Sequence, residues 1–136
     1  MDNLSAIGKT AASALRAQSE RLRIVAENMA NAESTGDTAG ADPYRRKIPV
    51  FESMIDDASG ANTVTISEVI EDQSDFQLKY DPSHPAADAE GYVKTPNVSP
   101  LVELANMREA SRSYEAALNL LDSGRRMRSQ LIELLG

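Results

Sequence analysis

The sequence predicts a mainly α fold: long N- and C-terminal helices pair as an antiparallel coiled coil, and a small β-rich segment lies between them. Three observations carry this. All six prolines fall between Pro43 and Pro100, so the two ends are free of the residue that helix interiors tolerate worst. Both ends space their apolar residues by threes and fours. The net charge of −7 lies entirely in the middle: residues 1–33 carry four basic and four acidic side chains, residues 100–136 five of each, and residues 34–99 five basic and twelve acidic. We therefore divide the chain into an N-terminal helix over 1–35, a β and loop segment over 36–99, and a C-terminal helix over 100–136.

The first helix follows the line Leu4, Ile7, Ala11, Leu15, Gln18, Leu22, Val25, Met29, Ala32, whose steps average 3.5 residues. That is a coiled-coil period and not a strand period. Asn3 is placed to cap its start, and Gly36 to stop it after the Asn31 to Thr35 run. Asn28 and Asn31 stand three apart and share a face. They read either as caps of the helix end or as amides that bond the paired C-terminal helix or a neighbouring subunit.

In the middle, Tyr44-Arg45-Arg46-Lys47-Ile48-Pro49-Val50-Phe51 reads as extended, with Pro49 favouring a sheet edge. Val64-Thr65-Ile66 and Val69-Ile70 are β-branched. Phe76, Leu78 and Tyr80 alternate with polar residues, and Tyr92-Val93-Lys94 is a short fourth candidate. Asp81-Pro82-Ser83-His84-Pro85 is a turn cluster, and residues 34–42 and 56–62 have the composition of flexible loops. The last segment repeats the helical design along Leu104, Met107, Ser111, Tyr114, Leu118, Leu121, Arg125, Arg128, Ile132 and Leu135. Ala110, Ala117, Gly124 and Leu131 flank that line and widen it enough to meet more than one neighbour. Arg125, Arg126 and Arg128 form a basic patch in the last turns. A compact middle returns the chain near its start, so the two helices run antiparallel.

Isolated helices are marginal in water. The two ends therefore depend on each other and on neighbouring copies. Leu4, Ile7, Leu15, Leu22, Val25, Asn28, Met29 and Asn31, with Leu104, Met107, Tyr114, Leu118, Leu121, Ile132 and Leu135, are the expected assembly interface.

Catalytic and cofactor chemistry finds little to work with. His84 is the single histidine and there is no cysteine, so a zinc site of several His or Cys ligands is excluded, as is a disulfide. The prolines around His84 mark it as a turn residue. The acidic residues Asp72, Asp75, Asp81, Asp88 and Glu90 lack the spacing of a calcium loop. Gly8-Lys9-Thr10 lacks the upstream glycine of a phosphate loop, and Lys9 reads as a solvated helix residue. No Gly-x-Ser-x-Gly elbow is present. No cofactor and no enzymatic activity are expected. The acidic balance opposes nucleic-acid binding. No stretch approaches the roughly 20 apolar residues of a membrane span, so direct membrane insertion is not expected. The opening Met1-Asp2-Asn3 shows no basic region followed by an apolar one, so no cleavable secretory signal is expected.

Several tracts resemble the proximal rod proteins of the bacterial flagellar basal body. Leu15-Arg16-Ala17-Gln18, Arg21-Leu22 and Ala26-Glu27-Asn28-Met29-Ala30-Asn31-Ala32 are similar to the signature shared by rod, hook and filament proteins. Tyr44-Arg45-Arg46-Lys47 is similar to the tract after the first helix of that family. Asp81-Pro82-Ser83-His84-Pro85-Ala86-Ala87-Asp88, Gly91-Tyr92-Val93 and Pro96-Asn97-Val98 are similar to its central signature. Met107, Ala110-Ser111-Arg112 and Tyr114-Glu115-Ala116 are similar to its C-terminal helix, although Ala117 stands where the family commonly has Asn and Leu104 where it commonly has Met. The resemblance implies a structural subunit of the driveshaft that transmits torque across the periplasm, exported unfolded through the flagellar type III apparatus. It implies as partners the other flagellar rod proteins, the rod–ring junction protein and self copies. The same stripes also suit a soluble coiled-coil adaptor that binds a partner through its acidic middle.

Overall fold

The computed structural model describes residues 2–136. The element order is helix α1 (Asp2–Ala30), strands β1 (Lys47–Ile55), β2 (Asn62–Glu71), β3 (Gln77–Tyr80) and β4 (Tyr92–Thr95), and helix α2 (Pro100–Leu135). Two long terminal helices with a small β middle are thus observed. The strands form two separate two-stranded sheets, β1 with β2 and β3 with β4, and not one β unit.

Helix ends differ from expectation for local reasons. Helix α1 already includes Asp2, so Asn3 lies inside it and does not cap it. It stops at Ala30, ahead of Gly36. There the Asn31 N–H still bonds the Glu27 carbonyl at 3.1 Å, with the Asn31 side chain adding a second bond from Nδ2 to the same oxygen at 2.8 Å. The chain then tightens, the Ala32 N–H donating to the Met29 carbonyl and the Ser34 N–H to the Asn31 carbonyl. Helix α2 starts with Pro100 at its first position, where a missing N–H costs nothing. The Ser99 carbonyl accepts its first bond, from the Glu103 N–H at 3.0 Å.

Contacts within the chain group into two compact units. One comprises residues up to Leu22, Pro49–Glu68 and Arg108–Gly136; the other comprises Arg23–Ile48 and Val69–Met107. In the first unit the helices run antiparallel. Arg21 meets Glu109 at 3.3 Å, and a Cβ at Gly124 would lie 3.5 Å from Cγ2 of Ile7, so position falls along one helix as it rises along the other. The buried positions of this unit are Ala11, Ser13, Ala17, Ala61, Ala110 and Ala117. Every one is alanine or serine. Small residues let helix backbones approach closely, and the seven-residue spacing of Ala110, Ala117 and Gly124 places them on one line.

The β1–β2 hairpin belongs partly to this unit. Its turn is tight, where a flexible loop over 56–62 was expected. The Asp56 N–H donates to the Ala61 carbonyl at 2.8 Å and the Gly60 N–H to the Asp56 carbonyl at 2.7 Å, with Gly60 at φ 71°. The Thr63 hydroxyl reaches the Met54 carbonyl and the Ser67 hydroxyl the Val50 carbonyl, the order of an antiparallel pair. Two side chains of α1 hold the hairpin. Ser13 Oγ accepts from the Val64 N–H at 3.1 Å, and Lys9 pairs with Asp56 at 2.9 Å. Lys9 is therefore a tether of the turn and not merely a solvated residue. Ser59 and Lys9 together hold the Asp56 carboxyl below the usual carboxylate range.

In the second unit β3 and β4 pair antiparallel, Gln77 opposite Thr95 and Tyr80 opposite Tyr92. The two tyrosine rings meet edge to face at 5.3 Å. The connection is the turn cluster seen in the sequence. Asp88 Oδ1 accepts from the N–H groups of Glu90 and Tyr92, and the Asp81 N–H donates to the Gly91 carbonyl. His84 is a turn residue, its Nδ1 accepting from the Ala86 N–H at 3.0 Å. Gly91 sits at φ 90°, and a Cβ there would lie 3.2 Å from both Pro82 and Tyr80. Gly91→Ala should therefore lower unfolding stability by about 1–3 kcal/mol. A urea midpoint unchanged from the parent chain would contradict the strained geometry at this turn.

Candidate assembly interface

The long apolar stripe of α2 is where the sequence points, and burial divides it unevenly. Tyr114, Met107 and Leu121 are half-buried, whereas Leu104, Leu118, Ile132 and Leu135 are exposed, Leu135 to 85%. On α1, Leu4, Ile7, Leu15, Leu22 and Met29 are half-buried and Val25 is buried. The line that faces inward along α2 is the small-residue flank, Ala110 to Ala117 to Gly124, displaced to one side of the leucine line. The cause is geometric. A wide stripe can turn either margin to its partner, and close backbone approach selects the margin with the smallest side chains. Most of the large aliphatic residues of α2 are left on the outside, with Met107 and Leu121 half-buried. Leu101, Val102, Leu120, Met127, Leu131 and Leu134 are exposed as well.

The second unit holds a polar cluster around the extended tract Tyr44 to Lys47. Asn28, on the last turn of α1 and 1% exposed, bonds this tract as a neighbouring strand would. Its Oδ1 accepts from the Lys47 N–H at 2.9 Å and its Nδ2 donates to the Lys47 carbonyl at 2.9 Å. The Tyr44 hydroxyl donates to the same Oδ1 at 2.7 Å. Within the chain the Asn28 amide thus serves the Tyr44 to Lys47 tract, while the Asn31 side chain bonds back to the Glu27 carbonyl at the helix end. Burial, then the charges of Glu27, Glu103 and Glu71, push the Tyr44 phenol up to about 12. Lys47 Nζ lies 2.6 Å from Glu27.

Arg46 is the second anchor. Its backbone N–H donates to Asn97 Oδ1 at 2.8 Å, its Nε pairs with Glu103, and its Nη1 lies 3.4 Å from Asp72. Glu103 is fully buried, and its second oxygen, Oε2, has no hydrogen-bond partner among the described residues. Burial works against the Arg46 charge, but the hydrogen bonds and charges of Glu103 and Asp72 outweigh it and hold the guanidinium above its ordinary value. Asn97 Nδ2 also binds the carbonyls of Asp72 and Ser74, and Arg45 stacks over Phe76 at 4.2 Å while donating to the same two carbonyls. The reach of these pairs hides them from local sequence reading: Arg46 and Glu103 are 57 residues apart.

The described residues include no group of three or more His, Cys, Asp or Glu side chains arranged to hold a metal ion. The work of this cluster is to fix an irregular segment. Removing one partner of a buried pair strands the other charge, so Arg46→Ala should cost roughly 3–5 kcal/mol, while Arg46→Met with Glu103→Leu should cost less than Arg46→Ala alone. Chemical denaturation of the three variants decides this, and an equal or larger loss in the double variant would contradict the pairing.

The Tyr44 phenol gives a second expectation. Its folded value lies above the ordinary 10.0, so the unfolded chain loses this proton first. The stabilisation is complete below pH 10 and is lost as pH rises towards about 12. Stability measured across that alkaline range should fall more steeply in the parent chain than in Tyr44→Phe; parallel curves would refute the assignment.

The flagella basal body rod protein family matches residues 9–36, and the C-terminal family of flagellar basal body rod FlgEFG proteins matches residues 89–134. The flagellar basal-body rod protein FlgC of Agrobacterium fabrum is 53% identical over 135 residues, covering 99% of this chain and 97% of that one. The FlgC protein of Escherichia coli O157:H7 is 44% identical over 126 residues, covering 91% and 92%. That of Bacillus subtilis is 37% identical over 141 residues, covering 90% and 92%. With identity of this degree along almost its whole length, and with rod-protein signatures in both of its long helices, the chain belongs to the FlgC family of flagellar basal-body rod proteins.

Proposed function

We propose that this protein is a structural subunit of the flagellar basal-body rod, built into the periplasm-spanning driveshaft through its two terminal helices. Its role is mechanical and not catalytic. The observation that carries the reading is the inverted burial of the first unit. Every buried residue there is alanine or serine, while Leu118, Leu120, Met127, Leu131, Ile132, Leu134 and Leu135 are 40% or more exposed. Apolar area of that extent on one helix marks a surface that neighbours cover. Among the described residues no helix is long and apolar enough to cross a membrane.

The partners in this reading are other flagellar rod proteins, the rod–ring junction protein and further copies of the same chain. The flagellar type III export apparatus is a transient partner that handles the chain before it folds. The sequence-derived interface enters with a division of labour. Ile7, Leu15 and Leu22, with Tyr114 and Leu121, lie near the helix pair, and Leu4 joins them at its open end. Leu104, Leu118, Ile132 and Leu135 face outward to neighbours. Asn28 and Asn31 act within the subunit.

Loss of the gene should abolish swimming and leave no rod beyond the base; a deletion strain that swims normally would refute the rod reading and favour the adaptor. A point substitution separates assembly from folding. Leu118 is 40% exposed, so Leu118→Asp should leave the subunit's stability within about 1 kcal/mol of the parent while removing it from rods and stopping motility. Glu115→Ala, exposed on the same helix, is the control and should do neither. Normal motility of Leu118→Asp would show that this face is not the one neighbours cover.

A further inference from the structure

Two surfaces of the first unit carry charge of a single sign. Residues 123–131 of α2 contain Arg125, Arg126 and Arg128 and no carboxylate, and residues 49–68 of the hairpin contain Glu52, Asp56, Asp57 and Glu68 and no cation. Asp56 is engaged by Lys9. Glu52, Asp57 and Glu68 are exposed, as are the three arginines, and none of these six side chains forms an ion pair or hydrogen bond with another described residue. The two surfaces therefore do not neutralise each other within one chain.

Each surface also has an apolar component. Beside the arginines a groove opens between α1 and α2. Leu4, Gly8, Leu121, Gly124, Arg125 and Arg128 line it, together with Lys9, which is already engaged by Asp56 of its own chain. The hairpin end presents Met54 at 57% and Ile55 at 72% exposure, with Glu52 and Asp57 on either side in the chain. Gly8 leaves room for inserted side chains, since a Cβ there would meet nothing within 4 Å.

We propose that this groove receives the hairpin end of a second copy of the chain. Met54 and Ile55 of the incoming copy enter between Leu4 and Leu121, and Glu52 and Asp57 meet Arg125 and Arg128. Charge complementarity selects the occupant: the carboxylates and the arginines that find no partner among the described residues of one molecule are matched in sign across two. The contact joins two different patches, so it is head-to-tail and continues as an open helical chain where a self-complementary patch would stop at a pair. These charges set register and partner choice more than raw affinity. This inference rests on the rod-subunit reading and adds the contact through which copies of that subunit meet.

Charge reversal tests it in a strain whose only copy of the gene carries the variant. Arg125→Glu with Arg128→Glu, and separately Glu52→Arg with Asp57→Arg, should each lower the yield of rod-containing basal bodies by about tenfold or more. The four substitutions together should restore it. No loss in either pair of variants, or no restoration in the combination, overturns the proposal. Restoration by reversing charges in another rod protein assigns the groove to that protein and also overturns it. A second measurement does not depend on these variants folding well. The chain lacks cysteine, so Asp57→Cys with Arg128→Cys supplies the sole thiols, and oxidation of assembled subunits should yield a ladder of crosslinked species beyond the dimer. Crosslinks confined to one chain, or a series that ends at the dimer, would refute the head-to-tail contact. Failure of the rod reading itself looks different: the deletion strain would swim.

Discussion

Close approach of the two helices in the first unit governs what the rest of its surface must do. Ile7 against Gly124 and Arg21 against Glu109 set the antiparallel register, and Ala11, Ala17, Ala110 and Ala117 let the backbones come together. Alanines bury little apolar area, so this seam contributes a modest hydrophobic term, at roughly 25 cal/mol per Å² of area removed from water. Most of the large aliphatic side chains that would supply more are turned outward. In the proposed rod, neighbours that cover that face supply the remaining apolar burial and so couple folding to assembly. Such coupling suits a protein that becomes part of a shaft.

The second unit solves a different problem by different means. The tract Tyr44 to Lys47 leaves α1 as an irregular chain whose backbone groups need partners. Asn28 supplies both a donor and an acceptor to Lys47, and Asn97 reads the Arg46 N–H while holding the carbonyls of Asp72 and Ser74. The buried Arg46–Glu103 pair ties the same tract to the start of α2. A buried ion pair of this kind is a weak source of stability but a strong source of geometry, because every alternative placement strands a charge. The family-like tracts that stood out in the sequence thus have individual physical tasks. The turn from Asp81 to Gly91 is capped by Asp88 and needs a glycine at its end.

Surface charge is arranged as deliberately as the core. The net charge of −7 accumulates in the middle of the chain, and on the hairpin it stands in four carboxylates with no cation among residues 49–68. Of these, Asp56 is engaged by Lys9 and Ser59, whereas Glu52, Asp57, Glu68 and the arginines near the end of α2 form no ion pair with another described residue. Matching surfaces of this kind guide encounter and register, while the exposed leucines of α2 provide area. The two roles fall on different residues, as they do in interfaces that combine an apolar centre with a charged rim.

The two terminal helices, their antiparallel pairing, the β character of the middle and the turn at Asp81 to Pro85 are all legible in the order of the residues. Proline placement, a spacing of 3.5 residues and β-branched runs are local signals, and local signals survive without a partner in view. Only the tertiary structure decided which margin of the α2 stripe faces α1. Periodicity marks a face but not the angle at which it is presented, and backbone approach chose Ala110, Ala117 and Gly124 over the leucines beside them. It also decided that Asn28 serves the Lys47 backbone, that Lys9 anchors the hairpin turn, and that the middle splits into two hairpins. Those outcomes join residues 19, 47 and more positions apart, and at such separations the choice of partner depends on where the chain returns in space.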